Sequence, residues 1–169
     1  RNVRDATYWL LDNRAKIAGT RMVRDRVVEI VQEFGRDYYL KAIHEMVEDS
    51  ARAARETVRR MLFPGTYREV AWRGFSLGDR SLLLHAPVEM TVRVDGTIDM
   101  DWDGLSSAGA HPFQATLPCF EAILFNALIQ YVFFDTRYNE GTFHVVDLHV
   151  PSGSACNPPD IFHATAQWG

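Results

Sequence analysis

A chain of 169 residues, 47% of them hydrophobic and 24% charged, has the size and mix of one globular domain and is not a disordered or fibrous segment. Its formal charge of −4 lacks the basic excess that nucleic-acid binding calls for. The longest apolar run, residues 122–134, is broken by Asn126 and Gln130 and is too short for a membrane span.

Residues 5–34 read as helix, with Asp5 placed to cap the first turn. Val23, Val27, Ile30, Val31 and Phe34 recur at helical spacing, Gly19-Thr20 is a soft point, and Gly35 is a stop. Residues 37–62 form the clearest helix, its apolar stripe running through Leu40, Ile43, Val47, Ala51, Ala54, Val58 and Met61. Two such helices joined at Gly35 predict an N-terminal helical hairpin, ended by Pro64-Gly65. Arg52, Arg55 and Arg59 share a face. They are interleaved with glutamates at i,i+4, so a solvated face competes with an anion contact.

From Tyr67 the period falls to two. Residues 67–73 read as one strand, 82–84 as the start of a second, and Val88, Met90, Val92 and Val94 as a third. Asp95-Gly96 predicts a type I′ turn, with residues 97–102 returning. A Gly/Ser-rich loop then leads into a nearly all-apolar helix with Pro118 near its start. Residues 143–150 follow as a return strand. The expected class is α+β: the helical hairpin, antiparallel strands with an Asp-Gly hairpin, a buried apolar helix and a return strand. It divides into a helical part (1–63) and a strand/helix part (64–169) of a single domain.

Few residues carry recognisable chemistry. Asp99, Asp101 and Asp103, followed by Gly104, open like a calcium loop, but the twelfth position is Ala110, which supplies no oxygens from its side chain. Ser106, Ser107 and His111 sit in the strand-to-helix loop, where small residues let backbone N–H groups turn towards one point. Asp147 and His149 share a strand face and form a possible acid–base couple, with nothing nearby to complete a triad. His44, His85 and His163 show no ligand spacing. Asn126 and Gln130 stand at i,i+4 and need partners if buried. Cys119 reads as a small buried thiol; with Cys156 it makes no CxxC pair, and neither cysteine requires an oxidising compartment.

An ordered set of short motifs resembles one family. Asp12-Asn-Arg-Ala-Lys-Ile-Ala with Arg21, Pro64-Gly65-Thr66-Tyr67, Asp101-Trp-Asp-Gly-Leu-Ser-Ser, Asn139-Glu-Gly141 and Pro151-Ser-Gly-Ser-Ala-Cys-Asn-Pro158 follow the order and spacing seen in the hydantoinase B/oxoprolinase family. The Asp-Asn-Arg start and His111-Pro112-Phe113 look closer to the α subunits of its ketone carboxylases, acetone carboxylase among them. The loop departs from the commoner wording at Ala108-Gly109-Ala110-His111, which bears on the substrate.

The resemblance implies an internal piece of a much larger cytoplasmic subunit within a hetero-oligomer. In such a complex ATP and manganese serve the joining of a small ketone to bicarbonate, with neither nucleic acid nor membrane as partner. No metal ligand is carried over onto this chain, because the family's metal motifs lie upstream. Asp101, Asp103, Ser106, Ser107 and His111 are the candidate substrate-loop residues. Ring opening of a hydantoin or oxoproline, a non-catalytic scaffold and a calcium module are the competing readings.

Overall fold

The computed structural model describes residues 6–109, 111 and 113–160. The predicted roles of Asp5, Ala110, Pro112 and His163 lie outside the described residues. Two compact units divide the chain, residues 1–46 and 47–169, with the boundary inside the second helix.

In the first unit, α1 (Ala6–Phe34) runs unbroken through Gly19, where Thr20 Oγ1 donates back to the Lys16 carbonyl at 2.9 Å. It meets α2 (Arg36–Met61) at Gly35, and the rings of Phe34 and Tyr38 stack across the junction with centroids 5.4 Å apart. Of the predicted stripe, Val27 and Val31 are half-buried, whereas Val23, Ile30 and Phe34 are exposed.

In the second unit, the C-terminal half of α2 buries Ser50, Ala51, Ala54, Thr57 and Val58, the continuation of the i, i+3, i+4 pattern. The sheet has four strands in the order β1 (Gly65–Leu77), β2 (Arg80–Val92), β3 (Ile98–Asp101), β4 (Val146–His149). The first three are antiparallel and β3–β4 is parallel, so the sheet is mixed. A parallel return needs a long crossover. Here α3 (Leu117–Tyr131) and the single-turn α4 (Glu140–Phe143) supply it.

Register sorts the side chains onto two faces. Val92, Ile98 and Val146 lie in one row, with Met90, Met100 and Leu148 in the next. These pack with Ala54, Val58, Phe133 and Val145 into the core. The opposite face carries Thr66, Thr91, Asp99 and Asp147 in one row and Arg68, Glu89, Asp101 and His149 in the next.

Three local predictions are corrected. The second and third predicted strands are one strand: β2 runs through Pro87, which faces Val70. The chain between β2 and β3 does not turn type I′ at Asp95-Gly96. Arg93 N–H bonds Thr97 O, Gly96 N–H returns to Arg93 O, and among the described residues only glycines have positive φ. The turn therefore centres on Val94-Asp95, with Gly96 in the left-handed position that follows, a three-residue connection. Asp95 accepts from the hydroxyl and the amide of Thr97, which holds its carboxyl below the usual range. Residues 143–145 belong to the end of α4 and the approach to β4, so the return strand is shorter than its apolar run suggested.

The apolar helix is also corrected. No residue of α3 is buried; Leu124 and Leu128 touch the core, and its other sides are half-covered or exposed. One sheet face can cover only one side of a helix that is apolar all round. Asn126 and Gln130 bond one another at 3.4 Å on the exposed side.

Two arginines of the predicted face of α2, Arg52 and Arg59, and the neighbouring Arg60 tie local structure together. Arg52 pairs with Asp49, Arg59 donates to the Asp95 carbonyl at 2.7 Å, and Arg60 pairs with Asp135 at 2.6 Å. Arg60's pairing holds the Asp135 carboxyl below its usual range. The turn also sits against α2 at its backbone: a Cβ on Gly96 (φ +84°) would collide with the Arg55 carbonyl. Replacing Gly96 with Ala combines left-handed strain with that clash and is expected to destabilise the protein by about 2 kcal/mol or more. Gly19→Ala, mid-helix in open space, is expected to stabilise by roughly 0.5–1 kcal/mol. Urea midpoints of the two variants check the opposite signs.

Candidate functional site

The predicted loop residues lie on a segment folded between β2 and the turn at residues 150–157. Asp101 ends β3, and its carboxylate accepts the Asp103 amide at 2.9 Å, a turn in which the side chain stands in for backbone. Both acids are exposed. Asp99 and Asp101 stand on an extended strand, not around a loop centre, and Asp99 is paired with Arg93, whose guanidinium is raised by that bond. The calcium-loop geometry is therefore not formed.

Ser106 is the fixed point of the segment. Its amide donates to the His85 carbonyl (3.1 Å), and its Oγ accepts the His85 amide (2.9 Å) and lies 3.0 Å from His85 Nδ1. Its carbonyl accepts the Ala155 amide at 2.8 Å. The His85 ring also stacks on Trp72, with centroids 5.2 Å apart. His85, which shows no ligand spacing in the sequence, is thus bound to the loop through a partner 21 residues away. No local pattern signals such a pairing.

Ser107 is exposed and bridges to the buried Ser154. Ala108 N–H donates to Gly153 O, so the loop and the turn lie side by side. Beyond them Gln114 closes a small ring. Its Oε1 accepts from Gly109 N–H at 3.1 Å, and its Nε2 donates to the carbonyls of Gly109 and His111, both at 2.8 Å. Gln114 is 3% exposed, so these bonds satisfy a buried amide that the sequence did not single out.

His111 is half-buried. Its Nδ1 accepts the Phe113 amide at 3.3 Å, which places the proton of the neutral imidazole on Nε2. That Nε2, Ser154 Oγ and Trp102 Nε1 are buried without a partner among the described residues. Asp147 and His149 share the exposed side of β4, beside Asp99 and Asp101. The described structure thus places Ser106, Ser107 and His111 on one loop, with Asp101 and Asp103 exposed at its β3 end.

The comparisons with known proteins bear on this segment as a whole. Residues 1–166 match the hydantoinase B/oxoprolinase family. The chain belongs to that family. It is 32% identical to the acetone carboxylase alpha subunit of Xanthobacter autotrophicus, over 95% of this chain and 22% of that protein. It is 22% identical to the B component of a D-/L-hydantoinase from a Pseudomonas species, over 93% of this chain and 28% of that protein. A solved nucleotide-free structure of acetone carboxylase superposes with a TM-score of 0.80 at 33% identity, over 89% of this chain and 21% of that one. The ATP-dependent caprolactamase of Pseudomonas jessenii shares the fold, with a TM-score of 0.76 at 20% identity over 98% of this chain and 28% of that one. The chain spans 21% to 28% of these relatives' lengths.

Within this family segment the resembling motifs have structural roles. At Pro64-Gly65-Thr66-Tyr67 the chain leaves α2 for β1, and Tyr67 donates to the Phe63 carbonyl at 2.8 Å. Asn139 caps α4 in a reciprocal capping box with Thr142. Gly141 lets that turn lie on the α2 backbone, because a Cβ there would strike the Val47 carbonyl. In the last motif Asn157 Nδ2 holds the Val150 carbonyl at 3.1 Å, and its own carbonyl accepts from Gly153 N–H.

The residues of this segment do not fit the manganese implied by the resemblance. Among the described residues no three His, Cys, Asp or Glu side chains gather to hold a metal. Asp99 is engaged by Arg93 and Asp101 by the Asp103 amide. The sequence also has no Gly-rich phosphate loop, so no step through metal or nucleotide is assigned to these residues. No described helix is long and apolar enough to cross a membrane.

The cysteines differ from expectation. Cys119 is half-buried, not buried, and the Ala115–Ala155 bond brings its helix start towards Cys156. Burial, with a smaller contribution from Cys119, pushes the Cys156 thiol up to about 11. It is therefore the protonated thiol at pH 8. Its alkylation rate is expected to climb about tenfold per pH unit and to keep rising through pH 9, where an ordinary thiol levels off; a plateau near pH 9 would contradict this. Ser106→Ala strips two His85 groups of their partner and is expected to cost roughly 1–3 kcal/mol. The exposed Ser107→Ala should stay within about 0.5 kcal/mol of the parent, both read by denaturant unfolding.

Proposed function

We propose that this chain is a segment of the alpha subunit of an ATP-dependent ketone carboxylase, which forms acetoacetate from acetone and bicarbonate in a multi-subunit cytoplasmic complex. The observation that carries this reading is the 32% identity to an acetone carboxylase alpha subunit across nearly the whole chain, against 22% to a hydantoinase component. The whole reaction belongs to the complete complex, with ATP, manganese, the small ketone and bicarbonate engaged outside these residues or across several subunits. The 169 residues form one part of the wall of the carboxylation chamber.

Within that wall the loop of Asp101, Asp103, Ser106, Ser107 and His111 faces the chemistry. His111 supplies a donor: its Nε2–H is buried and has no acceptor among the described residues. A group of this kind is suited to an oxygen that gains negative charge as a carbon–carbon bond forms. Ser106 acts through His85 and the backbone, as a positioning residue. Asp101 and Asp103 border the loop from the sheet side.

The test uses the full-length subunit assembled with its partners, given acetone, ATP and labelled bicarbonate. Label fixed into a β-keto acid, and released from it again as carbon dioxide on warming in acid, is expected. ATP-dependent opening of a hydantoin or oxoproline ring without fixed label would replace this reading with the hydantoinase one. In the same assay His111→Ala is expected to lower fixation at least about tenfold, with assembly intact by size-exclusion chromatography. Unchanged turnover in that variant and in Asp103→Ala would take the loop out of the chemistry.

A further inference from the structure

The outer edge of β1 carries no further strand among the described residues, and one of its amides, that of Val70, is taken by the Glu69 side chain. Sheet order puts β1 at the edge, bonded only to β2 among the described residues. It is 13 residues long, and its register with β2 is uninterrupted from Gly65↔Val92 to Leu77↔Arg80. An edge of that length normally carries a proline, a bulge or outward charges that block a further strand. β1 has no proline, and its continuous register leaves no bulge. Of its three charges, two are turned back onto the ribbon: Arg68 pairs with Glu89 at 2.5 Å, and the Arg73 guanidinium lies 5.4 Å over the Phe75 ring; the third, Glu69, accepts its neighbour Val70's amide at 3.0 Å and caps that one position of the edge.

A second observation concerns the side chains beside that edge. β3 reaches only as far as Glu89 on β2; beyond it the distal half of β1–β2 is a two-stranded ribbon met by loop residues alone, Ser106 at His85 and the Phe113 ring on Phe75. Such a ribbon is marginal in water by itself. Register puts Val70, Trp72 and Leu83 on one of its faces, and they are 39%, 60% and 61% exposed. Trp72 is held in place by stacking on His85, whose ring is fixed in turn by Ser106. A preset, largely exposed tryptophan next to open backbone donors and acceptors is the usual anchor of a strand-addition interface.

We infer that β1 receives an extended strand from the portion of the same subunit that lies outside residues 1–169, with Trp72 and Leu83 packing under its side chains. This rests on the reading of the chain as part of a longer alpha subunit. The choice of occupant follows from length. The chain corresponds to 22% of the carboxylase alpha subunit it resembles, so most of that polypeptide is at hand to cover the edge at high effective concentration.

Hydrogen exchange at residue resolution on the full-length subunit, first alone and then with its partner subunits, decides the matter. The β1 amides that do not bond β2, every second residue, are expected to be slowed about 100-fold or more in the subunit alone, and equally after tenfold dilution. In Trp72→Ala the same amides around residues 70–74 should exchange at least about tenfold faster, with the β2–β3 amides unchanged. Fast exchange of those amides in the subunit and the complex overturns the proposal. Protection that appears only with the partners assigns the edge to another subunit, and protection lost on dilution assigns it to a second copy; both overturn the choice of occupant. Exchange is read without turnover, so a subunit that fixes no bicarbonate can still show a covered edge, and a working carboxylase an open one.

Discussion

The fold of the second unit turns on the way Ser106 is held. One residue spends its amide, its carbonyl and its hydroxyl on two segments distant in sequence, His85 in β2 and Ala155 after β4. It thereby extends the sheet's pairing beyond the last residue of β3, along a stretch of β2 that β3 does not reach. Each bond is modest, roughly 0.5–1.5 kcal/mol, but the groups are half-buried, so leaving any of them unmade costs more than making it gains. Ser107, Ala108 and the Gln114 ring follow in fixed order from that point, and His111 is presented at its end. Trp72 depends on the same residue through the His85 ring.

The parallel pair β3–β4 imposes the second constraint. Ile98 and Val146 must meet in register before the core closes, although 48 positions of chain numbering separate them. That distance is filled by the loop, α3 and α4, and each junction is fixed by a specific contact: Pro118 at the start of α3, the Asn139–Thr142 capping box, and Gly141 against Val47. The fully buried Phe133 and Val145 lie on either side of α4 and seal the crossover onto Ala54 and Val58.

Sequence periodicity was a good guide wherever packing is local. The Ala51, Ala54, Val58 stripe, the alternation of Val88, Met90 and Val92, and the proline at the helix start all appear where spacing put them. It failed where a distant backbone decides. Asp95-Gly96 has the wording of a type I′ turn, but the glycine is needed one step later, pressed on the Arg55 carbonyl. The partnership of His85 with Ser106 and the closure by Gln114 depend on strand register, which no short motif encodes. Of the candidate loop, Ser106, Ser107 and His111 were legible as a group because small residues cluster between a strand and a helix. The separate jobs of the three were not.

Hydrophobicity alone also misplaced α3, and the reason extends to the rest of the surface. A helix of that composition has apolar groups on every side, and a four-stranded sheet offers it one face. Tyr131 and Phe134 on this crossover and Trp72 and Leu83 on the ribbon are left in solvent, as are Trp9, Leu11, Met22 and Phe34 of α1. Scattered apolar residues are ordinary on a protein surface, but exposed aromatic side chains on α1, α2, β1 and α3 together are not the pattern of a surface evolved to meet water. Stability of the segment and coverage of its outer faces are therefore one problem. The internal bonds of Ser106, Gln114 and Asn139 fix the local geometry, while the apolar area on α1, α3 and the ribbon stays uncovered among the described residues.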